Sequence, residues 1–184
     1  MRKIRLGFAD VTVDFVDREQ ALKRVEDWVD RGTYPVQVVY GPEGCGKTAW
    51  LLQSVELLKE LGFDVIYINP IEREFLAEVS VEDLRRRLID ILREATDNAW
   101  IKAVWAVIDL ARALIKAGRG RIAVLVDDAF QAIGLDRAAM YVKGMLGLIE
   151  HPPERYERVI AIAATSEGLS RWEIGRHRWA DLTP

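Results

Sequence analysis

Eight residues between an apolar run and a helical pattern carry the most specific chemistry in the chain: Gly41-Pro42-Glu43-Gly44-Cys45-Gly46-Lys47-Thr48. They fit G-x-x-x-x-G-K-[ST] at every fixed position. Glycines at this spacing let the backbone curl until successive N–H groups point inward and cradle an anion. A helix opening near Lys47 adds the positive end of its dipole. Lys47 supplies a point charge to the β and γ phosphates of a nucleotide, and the Thr48 hydroxyl can ligate Mg²⁺. Gly41 through Thr48, with Ala49 on the first turn, are the expected phosphate contacts, and ATP or ADP the expected ligand. Cys45 is expected to offer its backbone N–H; a redox role is the lesser alternative, because its thiolate would face the phosphates. No Asn-Lys-x-Asp run is present to read guanine.

The apolar run Ile122-Ala123-Val124-Leu125-Val126 precedes Asp127-Asp128. With the phosphate loop upstream, Asp127 is expected to hold Mg²⁺ and Asp128 to polarise an attacking water as general base. The alternative for Asp128 is a simple cap on the segment that follows. The run Arg158–Thr165 ends in a hydroxyl, and Thr165 is a candidate to lie between the acidic pair and the γ-phosphate; the alternative is an ordinary turn residue. Arg171, Arg176, His177 and Arg178 follow, and Arg176 is the candidate to stabilise transition-state charge. A solvated basic surface or a nucleic-acid patch explains those arginines equally well. His177 has no ligand-type residue at metal spacing.

These groups need a frame. Apolar runs at Val36–Tyr40, Phe63–Asn69, Arg121–Val126 and Arg158–Ala164 read as buried strands, with a short fifth at Arg178–Leu182. Helical spacing covers residues 17–31, Lys47–Leu61, Val81–Ala95, Ala99–Ala117 and Asp136–Glu150. Residues 1–16 alternate weakly and read as an extended leading segment. Continuous apolar strands separated by helices predict a parallel sheet covered on both faces. Ligands of such sheets sit beyond the carboxyl ends of the strands, where Gly41, Asp127 and Thr165 all fall.

The 184 residues suit one domain, with half of them hydrophobic and 30% charged. A net charge of −3 argues against a polycation seeking nucleic acid. Leu84-Arg85-Arg86-Arg87-Leu88 fans around a helix and reads as a solvated face before it reads as a phosphate contact. One cysteine excludes an internal disulfide and fits a reducing compartment. No signal peptide is evident, and Lys102, Asp109, Arg112 and Lys116 interrupt the longest apolar stretch, so the expected location is cytoplasmic, off the membrane. Asparagine occurs only at Asn69 and Asn98, a composition of heat-adapted proteins. Trp100 and Trp105 read as core; Trp172 and Trp179 are candidates for an interface.

Together these segments resemble the archaeal ATPase family within the AAA+/STAND division of P-loop NTPases. Phe15-Val16-Asp17-Arg18-Glu19-Gln20-Ala21-Leu22 looks like that family's Phe-x-Asp-Arg-Glu-x-Glu-Leu signature, with Ala21 in place of the last Glu. Asp127-Asp128-Ala129-Phe130-Gln131 looks like its Asp-Glu-x-x-Gln run, with Asp128 as the departure. Thr165-Ser166-Glu167-Gly168 stands in the place of its sensor-1 stretch, and Arg176 where the family often has an arginine. The resemblance implies a three-layer αβα fold with strand order 5-1-4-3-2, adenine contacts from Phe15, Val16 and Arg18, and a single ATPase domain over 1–184. It also implies a lid and a winged-helix domain beyond Leu182, so the sequence is expected to be a piece of a longer protein or a minimal form.

The expected function is an ATP-driven switch that hydrolyses ATP with Mg²⁺. A nucleotide-sensing scaffold with little turnover is the second reading, favoured by Asp128 and by the missing lid. A small-molecule kinase is the third. Self-association or a protein partner fits the switch, and the sequence does not decide on nucleic acid.

Overall fold

A computed structural model describes residues 3–6, 11–14, 19–33, 36–78, 86, 89–90, 97–150 and 158–165. In chain order the elements are β1 (Lys3–Leu6), β2 (Val11–Asp14), α1 (Glu19–Arg31), β3 (Gln37–Tyr40), α2 (Lys47–Glu60), β4 (Asp64–Asn69) and β5 (Glu74–Glu78). They continue as α3 (Asp97–Lys116), β6 (Arg121–Asp127), α4 (Ala129–Ile133), α5 (Leu135–Glu150) and β7 (Arg158–Thr165). Among the described residues no helix is long and apolar enough to cross a membrane.

The main sheet has five strands in the order β3-β7-β6-β4-β5. The first four are parallel, and β5 returns antiparallel to β4. Side chains alternate between the two faces, as a strand requires. Val65, Tyr67, Ala123, Leu125, Ile160 and Ile162 pack with Val25, Trp50, Leu51 and Leu58 of α1 and α2. Ile66, Ile68, Ile122, Val124, Val126, Val159 and Ala161 pack with Val104, Val107, Leu114, Phe130, Tyr141 and Met145 of α3, α4 and α5. The αβα layering follows from burying both faces, with about 1.5–3 kcal/mol favouring burial of each large apolar side chain. Three edge-on aromatic contacts among the described residues tie helices together, Trp28 to Trp50 at 6.5 Å, Trp105 to Tyr141 at 5.3 Å and Phe130 to Tyr141 at 6.4 Å.

The strand order departs from 5-1-4-3-2 at one edge. Strands expected from the apolar runs do lie in the order 1-4-3-2, as β3-β7-β6-β4. Beyond β4 lies β5, which the sequence reading did not assign to a strand; the proposed fifth strand, Arg178–Leu182, is outside the described residues. The reason for the extra strand is local. Asn69 Oδ1 accepts hydrogen bonds from the N–H groups of Ile71 (3.1 Å) and Glu72 (3.0 Å), and Arg73 adopts a left-handed φ of 56°. Pro70 therefore opens a tight reversal instead of ending the strand in a loop. Residues 1–16 also do more than extend, because β1 and β2 pair with each other as a separate antiparallel ribbon. The short helix α4, unassigned from the sequence, starts directly after Asp128. Of the helix expected over Val81–Ala95, residues 86, 89 and 90 are helical and the rest lies outside the described residues.

Candidate functional site

The loop after β3 is shaped by its glycines. Gly44 and Gly46 have φ of 73° and 84°, values that a side chain resists. Gly41 is tightly placed for a different reason: a Cβ there would stand 2.8 Å from Cys45 Sγ, because the loop doubles back on itself. Cys45 N–H donates to Pro42 O at 3.2 Å, closing the turn inside the loop, so this N–H is engaged within the loop itself. Gly46 is the N-cap of α2 and offers no side-chain cap, which leaves the first-turn amides facing the loop. Lys47 is buried, with its ammonium donating to Gly41 O (2.7 Å) and Pro42 O (3.0 Å).

Register brings the other groups to this edge. Parallel pairing aligns Tyr40 with Thr165 and Asp127 with Ala164, and Ile68 lies opposite Val126, which places Asn69 level with Asp127. Asp127 is fully buried, and its Oδ2 accepts from Tyr67 OH (3.4 Å) and Asn69 Nδ2 (3.3 Å). Burial pushes its carboxyl up to about 6, against the Thr48 hydroxyl; the Asp128 charge adds to the rise, and Lys47 and Tyr67 oppose it. Burial likewise pushes the Tyr67 phenol well up, helped by the charges of Asp127 and Glu74, so it remains a donor at neutral pH.

Asp128 has the left-handed φ of 48° and stands at the N-cap of α4, but its side chain makes no capping hydrogen bond. Its backbone instead ties β6 to β7 through N–H donation to Ala164 O at 3.0 Å. Its carboxyl is raised by burial, with Lys47 opposing and Glu43 and Glu72 adding to the rise. The cap alternative thus loses its hydrogen bond, and the carboxylate lies within the field of Lys47, Glu43 and Glu72.

Three buried oxygens at this edge, Asp127 Oδ1, Asp128 Oδ1 and Thr165 Oγ1, have no hydrogen-bond partner among the described residues. Buried polar atoms are nearly always satisfied, so three on one edge mark it as a candidate ligand site. A hard cation fits, since Mg²⁺ takes one or two protein oxygens and completes its shell with water and phosphate. Thr48 and Asp127 are neighbours here, as a shared cation would need. Phe15, Val16, Arg18 and Arg176, and with them the adenine contacts and the catalytic arginine, lie outside the described residues. Two groups that sequence reasoning passed over belong to the site: Asn69, noticed only as a rare residue type, and Tyr67, read as a strand residue. A polar residue at the carboxyl end of the strand next to the acidic one was the available signal.

A glycine-rich loop between a parallel strand and a buried helix, with acidic and hydroxyl residues on neighbouring strand ends, defines a P-loop nucleotide-binding domain. A family model for an ATPase domain predominantly from Archaea matches residues 15–184. The chain belongs to that family. No curated protein matches it. Among solved structures, a DNA replication initiation factor is 16% identical, with a TM-score of 0.44 over 90% of this chain and 45% of its own. AMPPCP-bound DnaA from Aquifex aeolicus is 18% identical, with a TM-score of 0.45 and the same two coverages, 90% and 45%. The chain thus spans less than half the length of these two structures.

Proposed function

We propose that this chain binds Mg²⁺-ATP at the 41–48 loop and uses its hydrolysis, or the loss of its γ-phosphate, to switch conformation. One observation carries the reading: a fully buried Asp127, beside Thr48 and Lys47, with one oxygen that has no hydrogen-bond partner among the described residues. A desolvated carboxylate at this position has a reason to exist if a cation neutralises it. Thr48 and Asp127 would hold Mg²⁺, which supplies charge neutralisation to the phosphates. Lys47 would exchange its loop carbonyls for phosphate oxygens. Asp128, uncommitted to a cap, would orient and deprotonate the attacking water. Thr165, buried at the end of β7, would sense the γ-phosphate and pass its loss along the strand. Arg176 is proposed to offset transition-state charge, and Phe15, Val16 and Arg18 to contact the base.

Two variants test the proposal. Lys47→Ala is expected to abolish the thermal stabilisation given by Mg²⁺-ATP, which for saturation at a hundred times Kd is about 2.7 kcal/mol. Asp128→Asn is expected to keep that stabilisation and to lower phosphate release at least a hundredfold. Equal, background-level release by wild type and Asp128→Asn would leave a nucleotide sensor in place of an ATPase. An undiminished shift in Lys47→Ala would remove the loop from the site.

A further inference from the structure

Asp127 has two oxygens with different surroundings. Oδ2 accepts from Tyr67 OH at 3.4 Å and Asn69 Nδ2 at 3.3 Å, the Thr48 hydroxyl also lies against the carboxylate, and Oδ1 has no hydrogen-bond partner among the described residues. Each bond is near the outer limit of useful length, so neither alone would fix the rotation of the carboxylate; two donors on one oxygen do. The orientation of the Asn69 amide is itself determined. Two backbone N–H groups, of Ile71 and Glu72, point at one end of it, and only the carbonyl oxygen can accept them. The NH₂ end must then face Asp127. Pro70, between them, lacks an N–H and leaves the turn geometry to the following two residues. Asn69 is fully buried, so water does not compete for either end.

We propose that Asn69 is a positioning residue that, together with Tyr67, holds one oxygen of Asp127 so that the other is presented to the cation. The β4–β5 turn locks Asn69, Asn69 and Tyr67 lock Asp127, and Asp127 Oδ1 is left for the metal or its water. Partners of this kind orient a metal-binding carboxylate and typically change metal affinity or activity 10- to 100-fold. The inference rests on the Mg²⁺-nucleotide reading of the same site and adds to it how the site is aimed.

The test is equilibrium binding of a fluorescent N-methylanthraniloyl ATP, first in EDTA and then through a MgCl₂ titration, with the nucleotide-free melting temperature of each variant. Asn69→Ala is expected to bind the analogue in EDTA within about twofold of wild type, while the half-saturating Mg²⁺ concentration rises about tenfold. Tyr67→Phe, which removes a single hydroxyl, is expected to bind normally in EDTA and to raise that concentration about threefold. A merely structural Asn69 would lower the melting temperature without moving the Mg²⁺ midpoint, and that result overturns the proposal. Should Asn69→Ala not fold, Tyr67→Phe decides: an unchanged midpoint overturns the proposal and a raised one supports it. A wild-type chain whose analogue binding ignores Mg²⁺, or survives Lys47→Ala, overturns the functional reading and this inference together; an Mg²⁺ response that both variants retain in full overturns the inference alone.

Discussion

Asp127→Asn should make the nucleotide-free domain more stable at neutral pH while destroying its response to Mg²⁺. The Asp127 carboxyl rises from 3.8 to about 6 on folding, chiefly because burial strips water from the charge. A raised acid binds more protons in the folded state than in the unfolded one, so stability falls as pH climbs between those two values. Below about pH 4 the group is protonated in both states and costs nothing; above about pH 6 the full cost is present. Two units correspond to about 3 kcal/mol. The amide removes that cost, but it leaves an N–H donor where Oδ1 has no partner among the described residues, a penalty of about 1 kcal/mol. The net gain at pH 7.5 is about 2 kcal/mol, or roughly 4–8 °C in Tm for a chain of this size. Thermal melts of both proteins without nucleotide or metal, from pH 3.5 to 7.5, provide the assay. The gain should shrink through the 4–6 window and turn into a small loss at the acid end. Asp128, whose carboxyl is also raised, is present in both proteins and drops out of the difference to first order. A variant less stable than wild type by the same amount at every pH would refute the reasoning, because Asp127 would then stabilise the apo fold through its hydrogen bonds and not burden it through its charge.

Other expectations follow from contacts already described. Gly41→Ala should weaken nucleotide binding at least tenfold by fluorescence titration, since its Cβ would meet Cys45 Sγ at 2.8 Å and push the loop open. Cys45→Ala should be nearly neutral alone and should restore part of the binding lost in Gly41→Ala, a coupling that a double-mutant cycle measures directly. Arg121 donates to Leu61 O at 3.0 Å, just past α2, and its guanidinium lies 4.8 Å from the Phe63 ring centroid. Arg121→Ala should therefore cost about 1 kcal/mol. This should lower Tm by roughly 2–4 °C, with nucleotide affinity unchanged, as the contact is at the amino-terminal end of β6, away from the loop.

The fold was largely legible because its signals are local. Continuous apolar strands such as Ile122–Val126 can be buried on both faces only if helices cover both faces, and the helical spacings supply those helices. Turn chemistry was harder to read. Asn69-Pro70 looked like a stop, yet the Asn69 side chain substitutes for a backbone acceptor and folds the chain back as β5. A five-residue strand flanked by glutamates carries too little apolar pattern to announce itself. Asp128 could be read as a cap or as a base, because either use places an acid before a helix; that its side chain makes no capping bond is visible only in the fold.

The phosphate loop lies in the sequence itself. Its glycines, lysine and threonine are consecutive, so their geometry is a property of eight residues and the helix they open. What aims the acidic residue is different in kind. Tyr67 and Asn69 stand about sixty positions from Asp127 in the chain, and they meet it because β4 and β6 pair in a register that sets Ile68 against Val126. No local pattern specifies that register. It is decided by which side chains fill the two faces of the sheet, and so the orientation of the Asp127 carboxylate, unlike the loop it faces, belongs to the tertiary structure alone.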